Sequence, residues 1–189
     1  MKTIKDLIIL YPSFERGGAT VNLINFINIC TKKNIKIHLI TNIKEKDKKF
    51  FYKKNIKFII LKNDLKHRIF NRLITSIKAT FLLLNLFKKI QGENSLVFSF
   101  QSHILPIIFS KIFRRKIVIR NSEDIVSATK YADYKLSAFF IFLLKIFFYN
   151  FSNGVITNSK DAKKSLDKII FNNKTKLIYN PYLKKIFTN

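Results

Sequence analysis

Short apolar runs alternate along this chain with longer segments whose apolar residues recur at helical spacing. The short runs predict strands at 5–11, 35–41, 56–61, 96–100, 116–120, 154–158 and 176–179. The longer segments predict helices at 19–31, 65–90, 103–113, 136–150 and 160–170, with a short helix or surface loop at 44–54. Strands that alternate with helices are typical of an α/β fold. We therefore expect a doubly wound parallel sheet, Rossmann-like, covered by helices on both faces.

Length and composition limit the classes of protein to which the chain can belong. Its 189 residues suit one domain, or one lobe of a two-lobed protein, and 48% hydrophobic residues suffice for a substantial core. The single cysteine, Cys30, excludes an internal disulfide and a cysteine-cluster zinc site. The sequence contains no run of 18 apolar residues and no recognisable targeting segment, so we expect a cytoplasmic protein with membrane affinity.

The net charge of +25 comes from 36 basic and 11 acidic residues, and it predicts attraction to an anionic partner. Nucleic acid is disfavoured, because the chain has no helix-turn-helix signature, zinc spacing or aromatic RNA-binding motif. Phosphorylated substrates and an anionic membrane surface remain, with 44–54, 111–116 and the apolar segment 136–148 as candidate contacts. Genome composition is the alternative explanation of the charge, and a buried helix, or one that waits for another lobe, is the alternative for 136–148.

The loop after the first strand is the first candidate site. Ligands of a doubly wound sheet bind at the carboxyl ends of its strands, and Gly17 and Gly18 lie between the first strand and the first helix. Paired glycines allow close approach of a ligand, the helix N-terminus favours phosphate, and Arg16 adds a fork of donors. The alternative is a tight turn that only needs glycine. The spaced glycines of a dinucleotide fingerprint and the lysine of a Walker loop are both absent.

Polar residues also follow the fourth and fifth strands. His103 is expected at the same sheet edge as Gly17, as a contact to sugar or phosphate, a proton-transfer group, or only a surface histidine near a helix start. Arg120 is a candidate for phosphate binding, and Glu123 is a candidate acceptor for sugar hydroxyls, with Asn121 between them. An internal Arg–carboxylate pair or a solvated turn are the alternatives.

The order of these motifs resembles the N-terminal half of a family 4 glycosyltransferase with a GT-B fold. The resemblance spans nearly the whole chain. It rests on five segments in order: Glu15-Arg16-Gly17-Gly18-Ala19, Phe98-Ser99-Phe100, Val118-Ile119-Arg120-Asn121-Ser122-Glu123, Val155-Ile156-Thr157-Asn158-Ser159-Lys160 and Leu177-Ile178-Tyr179-Asn180-Pro181.

This resemblance implies that 1–180 form a Rossmann-like, acceptor-side lobe and that 181–189 begin a hinge to a second, donor-binding lobe missing from this chain. The implied activity is retaining transfer of a sugar from a nucleotide-sugar donor to a glycan or lipid-linked acceptor, without a metal or another cofactor. Its setting would be cell-envelope polysaccharide synthesis at the inner face of the cytoplasmic membrane. The chain alone is expected to be truncated and inactive, unless a separate polypeptide supplies the second lobe.

The resemblance also assigns roles to the candidate residues. Gly17 and Gly18 would lie near the donor phosphates, and the Arg120 loop would line the cleft. Many family members have a histidine at the end of the fourth strand, whereas this chain departs from the pattern with Phe100 there and His103 three residues later. His103 is the weaker of the assignments, as the candidate for the catalytic role. The alternative function is a basic membrane-surface binding module without catalysis.

Overall fold

The structure is a computed structural model that describes residues 3–51, 55–61 and 68–180. Within these residues the strands are β1 (Asp6–Tyr11), β2 (Lys36–Thr41), β3 (Ile56–Ile60), β4 (Ser95–Ser99), β5 (Lys116–Arg120), β6 (Gly154–Thr157) and β7 (Thr175–Leu177). The helices are α1 (Gly18–Lys32), α2 (Arg68–Lys89), α3 (Ile104–Ile112), α4 (Ile125–Lys130), α5 (Lys135–Tyr149) and α6 (Lys160–Asp167). A 3₁₀ helix spans Glu45–Phe50.

All seven strands are parallel and lie in the order β3-β2-β1-β4-β5-β6-β7, which confirms the predicted doubly wound sheet. The chain builds outward from β1 through β2 to β3, and then returns to place β4 on the other side of β1. The direction of winding therefore reverses between β1 and β4. The loops that leave these two strands separate at this point and open a crevice at the carboxyl ends, where ligands of such sheets bind.

Two cores cover the two faces of the sheet, and this explains why the strands are apolar at nearly every position. In β1, Ile8 and Leu10 face one core, whereas Leu7, Ile9 and Tyr11 face the other. Helices α2, α3, α5 and α6 contribute to the first core, and α1 contributes to the second. Successive residues of a strand point to opposite faces, so a strand covered on both faces has no polar side.

Element bounds mostly agree with the prediction, and the differences lie at element ends and in one short helix. The last strand spans Thr175–Leu177 instead of 176–179, and α6 ends at Asp167 instead of 170. The predicted cap of α6 is confirmed, because Ala162 N donates to Ser159 Oγ at 3.1 Å. Helix α4 was not predicted, since six residues are too few to show a helical period.

Parts of three predicted segments, 52–54, 65–67 and 181–189, lie outside the described residues. The predicted hinge at 181–189 is therefore outside the described residues. In the described part of the chain, no helix is long and apolar enough to cross a membrane.

Candidate functional site at the carboxyl edge of the sheet

The candidate site lies where the loops after β1, β2 and β4 meet. Ser13 N donates to Gln101 Oε1 at 3.1 Å, which joins the loop after β1 to the loop after β4. Phe14 N donates to Asn42 Oδ1 at 2.5 Å, which joins the same loop to the residue after β2. These two hydrogen bonds fix the position of residues 13 and 14, and residues 15–17 lead from there into helix α1.

Gly17 and Gly18 form the exposed entry to α1. Gly17 has φ 175° and ψ 179°, an extended conformation that any residue adopts, and neither glycine has a positive φ. A Cβ added at either position would meet nothing within 4 Å. The turn therefore does not need glycine on conformational grounds. What the pair provides is open space in front of a 15-residue helix whose first turn receives no side-chain cap from the described residues.

Arg16 is not a free fork of donors, because its Nη2 lies 3.3 Å from Oδ1 of Asp47. Asp47 is buried in the 3₁₀ helix, whereas 56% of the Arg16 side chain is exposed. This pair fastens the glycine loop to the segment after β2. The sequence indicated a basic residue beside the glycines, but its partner lies 31 positions away and had no local signal.

His103 lies at the start of α3, but it is not the surface histidine of the alternative interpretation. Its Nδ1 is 2.9 Å from Ser99 Oγ, and its ring meets Tyr149 edge-on with centroids 5.8 Å apart. Burial, together with the positive charges of Lys145 and Arg120, lowers the pKa of His103 to about 3, although a hydrogen bond to the Arg120 backbone acts in the opposite direction. The imidazole is therefore neutral at physiological pH and is a weak base.

Arg120 is the most unusual residue of this edge. It is 9% exposed, its Nη2 donates to Asn180 Oδ1 at 3.0 Å, and its guanidinium lies 5.4 Å from the centre of the Phe100 ring. No carboxylate among the described residues pairs with it, so the predicted alternative of an internal Arg–carboxylate pair does not occur there. Burial lowers the pKa of Arg120, yet the group stays charged because its ordinary pKa is above 12. A buried, uncompensated cation costs several kcal/mol, and an anionic ligand would offset that cost.

Asn121 and Glu123 have different surroundings. Asn121 is buried, donates from Nδ2 to the Glu123 carbonyl at 2.6 Å, and accepts from the Tyr149 hydroxyl at 3.5 Å. These bonds use both ends of its amide to hold the loop. Glu123 is exposed and lies 3.4 Å from Lys145 Nζ, so its carboxylate stays at the surface beside the edge.

Sequence reasoning missed two groups of residues that complete this edge. Tyr149 and Asn180 contact the predicted site residues from α5 and from the segment after β7. Thr157 Oγ1 and Asn158 Oδ1, at the end of β6, are buried oxygens that have no hydrogen-bond partner among the described residues. Polar residues after an apolar strand were the available signal for Thr157 and Asn158, whereas nothing local marked Tyr149 inside an apolar helix.

Comparisons with known proteins identify the fold of this chain but do not assign it to a family. No protein-family model matches the sequence, and a search of curated proteins finds no match either. Among solved structures, Anabaena Alr3699/HepE in complex with UDP-glucose matches with a TM-score of 0.62 at 18% identity, over 94% of this chain and 44% of that one. Arabidopsis thaliana UGT89C1 complexed with UDP-L-rhamnose matches with a TM-score of 0.67 at 9% identity, over 95% of this chain and 49% of that one. UDP-N-acetylglucosamine 2-epimerase from Rickettsia bellii matches with a TM-score of 0.55 at 13% identity, over 92% of this chain and 44% of that one.

The class of fold follows from the strand order and these matches. The chain has the Rossmann-like α/β fold of one lobe of the GT-B glycosyltransferases. It spans about half or less of the length of these three structures. At identities below 20%, the likeness concerns the fold, and the chemistry of this chain has to be argued from its own residues.

Proposed function

We propose that this chain is the acceptor-side lobe of a retaining, family 4 glycosyltransferase, which transfers a sugar from a nucleotide-sugar donor to a glycan or lipid-linked acceptor. The observation that carries the proposal is the buried Arg120, which has no carboxylate partner among the described residues, at the sheet edge that also presents the open N-terminus of α1. Strand β4 separates β1 from β5, so the strand ends from which these two features extend are two strand spacings apart, about 10 Å. That span suits the diphosphate of a nucleotide sugar together with its sugar.

The chemistry of sugar transfer explains why such groups belong at this edge. The donor leaves as a nucleoside diphosphate, so negative charge grows on the phosphate oxygens as the sugar–oxygen bond breaks. Backbone amides of the Gly17–Gly18 turn and the Arg120 guanidinium would stabilise this charge, with the partial positive charge of the helix N-terminus adding to them. The side-chain-free turn allows the phosphates to approach the amides closely.

His103 takes a positioning role in this proposal. Its pKa of about 3 makes it a weak base, and its ring hydrogen-bonds the backbone of Arg120. We infer that it holds the end of β5 against β4, so that the guanidinium keeps its place. Asn121 holds the same loop through its bonds to the Glu123 carbonyl and the Tyr149 hydroxyl, and the exposed carboxylate of Glu123, beside Lys145, would accept from sugar hydroxyls.

The complete reaction needs partners beyond this lobe. One lobe presents one wall of the cleft, so we propose that a second, nucleotide-binding lobe works with it, from the same or a separate polypeptide. No metal or other cofactor is part of the proposal, since the guanidinium and amides supply the positive charge. The proposed setting is cell-envelope polysaccharide synthesis, at the inner face of the cytoplasmic membrane.

Calorimetric titration with inorganic pyrophosphate tests the anion-binding part of this proposal. We expect weak binding, on the order of 1 mM, because one lobe supplies only part of the contacts. Arg120→Gln should weaken binding about tenfold, since it removes a charge-assisted hydrogen bond. Lys116→Gln is the matched control: it removes one positive charge from the exposed, amino-terminal end of the same strand. Equal effects of the two substitutions would contradict a site at Arg120.

A membrane-surface binding module without catalysis is the second candidate function. It is favoured by the net charge of +25 and by the exposed apolar side chains of α5. This function predicts binding to anionic vesicles that weakens with salt and needs no second lobe. Vesicle binding without any response to pyrophosphate would favour it over sugar transfer.

A further inference from the structure

Three asparagine side chains bury polar atoms that the described part of the chain does not hydrogen-bond. Asn22 Oδ1, Asn25 Nδ2 and Asn158 Oδ1 are buried and have no partner among the described residues. Asn22 as a whole is only 8% exposed. A buried polar atom without a partner loses its hydrogen bonds to water and gains none in their place, which is unfavourable. A ligand that bonded these atoms would offset that loss.

Helix α1 places two of these asparagines on the flank that faces β4. Asn22 lies four residues before Phe26 and three before Asn25, a spacing that puts the three on one side of a helix. The centre of the Phe26 ring lies 4.9 Å from that of Phe98 and 6.1 Å from that of Phe100. Helix α1 begins at the carboxyl edge, so Asn22, one turn before Phe26, lies about 6 Å nearer to that edge.

The third asparagine and Arg120 lie across from this flank, on the same face of the sheet. Arg120 pairs with Ile156 in the register of β5 and β6, and Ile156 packs against the second core, to which α1 contributes. Asn158 follows Ile156 by two positions and therefore lies on that face as well, just beyond the end of β6. The Arg120 guanidinium lies 5.4 Å from the centre of the Phe100 ring. Phe100 is thus the common neighbour of Arg120 and of the α1 flank.

No other α-helix of the described residues covers the space between this flank and β6. Helices α2, α3, α5 and α6 contribute to the first core, on the opposite face of the sheet. Val118 and Ile156, which face this space from β5 and β6, are half-buried, whereas Ile117 and Val155 on the opposite face are buried. The second core is therefore open beyond β4, at the place where Arg120 and the asparagines lie.

The unpartnered atoms define the chemistry of a ligand for this space. Asn22 Oδ1 and Asn158 Oδ1 need hydrogen-bond donors, and Asn25 Nδ2 needs an acceptor. An ionised phosphate oxygen only accepts, so a phosphate satisfies the Arg120 guanidinium but not the two carboxamide oxygens. Hydroxyl groups both donate and accept, and a sugar carries several of them at neighbouring positions. A sugar phosphate is therefore the ligand that matches both the cation and the asparagines.

We propose that Asn22, Asn25 and Asn158 bind the hydroxyl groups of a sugar whose phosphate lies against Arg120. The inference assigns sugar recognition to this lobe, and it rests on the proposed function in placing the phosphate at Arg120. Such a sugar has two sources. The donor carries its phosphate on the anomeric carbon, whereas a phosphorylated acceptor carries it at another position.

Three phosphate monoesters of like charge test the proposal by calorimetric titration: glucose 1-phosphate, glucose 6-phosphate and methyl phosphate. Methyl phosphate is the matched control because it has no hydroxyl groups. We expect one of the glucose phosphates to bind about tenfold more tightly than methyl phosphate, since its hydroxyls bond atoms that otherwise have no partner. Tighter binding of the 1-phosphate would assign the sugar to the donor, and tighter binding of the 6-phosphate to an acceptor. Equal affinities for all three would overturn the proposal.

Alanine variants locate the hydroxyl contacts. Asn22→Ala and Asn158→Ala should each reduce the preference for the glucose phosphate by about threefold or more and leave the affinity for methyl phosphate unchanged. Asn85→Ala is the matched control, because it removes an exposed carboxamide from α2, on the other face of the sheet. The two test positions lie on different elements, so either variant alone tests the proposal if the other does not fold. A full preference in the folded variants, or an equal loss in Asn85→Ala, would contradict the assignment.

Pyrophosphate titration keeps this proposal separate from the proposed function. Pyrophosphate binding that depends on Arg120, without a preference for either glucose phosphate, would overturn the sugar site and leave the proposed function standing. A preference for a glucose phosphate that Asn22→Ala removes, without binding of pyrophosphate, would support the sugar site and remove the proposed function.

Discussion

The half-buried histidine of the candidate site, His103, makes the stability of this protein depend on pH. His103 has a pKa of about 3 in the folded chain, against 6.5 in an unfolded one, because burial and the charges of Lys145 and Arg120 disfavour the imidazolium. Below pH 6.5 the unfolded chain binds a proton at this residue that the folded chain does not. The free energy of unfolding therefore falls as the pH is lowered from 6.5 towards 3. At about 1.36 kcal/mol per pH unit, the loss is about 2 kcal/mol at pH 5.

Urea unfolding at pH 7 and pH 5 measures this loss in the wild type and in His103→Gln. The variant keeps a side chain that hydrogen-bonds but does not titrate, and it retains His38, His67 and every carboxylate. We expect the wild type to lose about 2 kcal/mol more than the variant between the two pH values. Parallel losses in both proteins would refute the argument, because they would place the pH dependence in other groups.

Three further predictions concern the loops of the site. Asp124→Ala should lower the free energy of unfolding by about 1–2 kcal/mol, measured by urea denaturation. Asp124 caps α4 by accepting from Val126 N and Ser127 N, and it also accepts from Ser165 Oγ. Asp124→Asn still caps the helix and should therefore lose less stability. Gly17→Val should leave the thermal midpoint within about 2 °C, since the new side chain enters open space, and should abolish pyrophosphate binding; retained binding would refute the role of the turn. Arg120→Gln should leave the free energy of unfolding unchanged or raise it, because it removes a buried cation that has no carboxylate partner among the described residues; a large loss of stability would show that Arg120 is structural.

Strands were the most predictable part of the fold. A parallel strand covered on both faces is a short, continuous apolar run, and the run at 5–11 differs from β1 by one residue. Ends of elements were less predictable, because hydrogen bonds and not hydrophobicity decide them. Helix α4 depends on a cap at Asp124 that is tied to Ser165, a residue 41 positions away, so the local pattern carried little information about it.

The chain segments of the candidate site could be predicted, but the state of their side chains could not. Polar residues after apolar strands indicated which loops meet at the carboxyl edge. Whether a residue there is free or engaged depends on distant partners: Asp47 binds Arg16, and Tyr149 binds Asn121. The same holds for Arg120, which has no carboxylate partner among the described residues, because this is a property of the folded chain and not of any local spacing.

Selective labelling of the four glycines gives the most direct test of the central claim that the carboxyl edge binds a diphosphate. With nitrogen-15 glycine, the amide NMR spectrum contains signals from Gly17, Gly18, Gly92 and Gly154 only. Gly92 precedes β4 and Gly154 begins β6, so both lie at the opposite, amino-terminal edge and serve as internal controls. Titration with pyrophosphate should shift the Gly17 and Gly18 signals and leave the other two in place. Shifts at Gly92 and Gly154 instead, or no shift at any glycine up to a concentration of about 10 mM, would contradict the account.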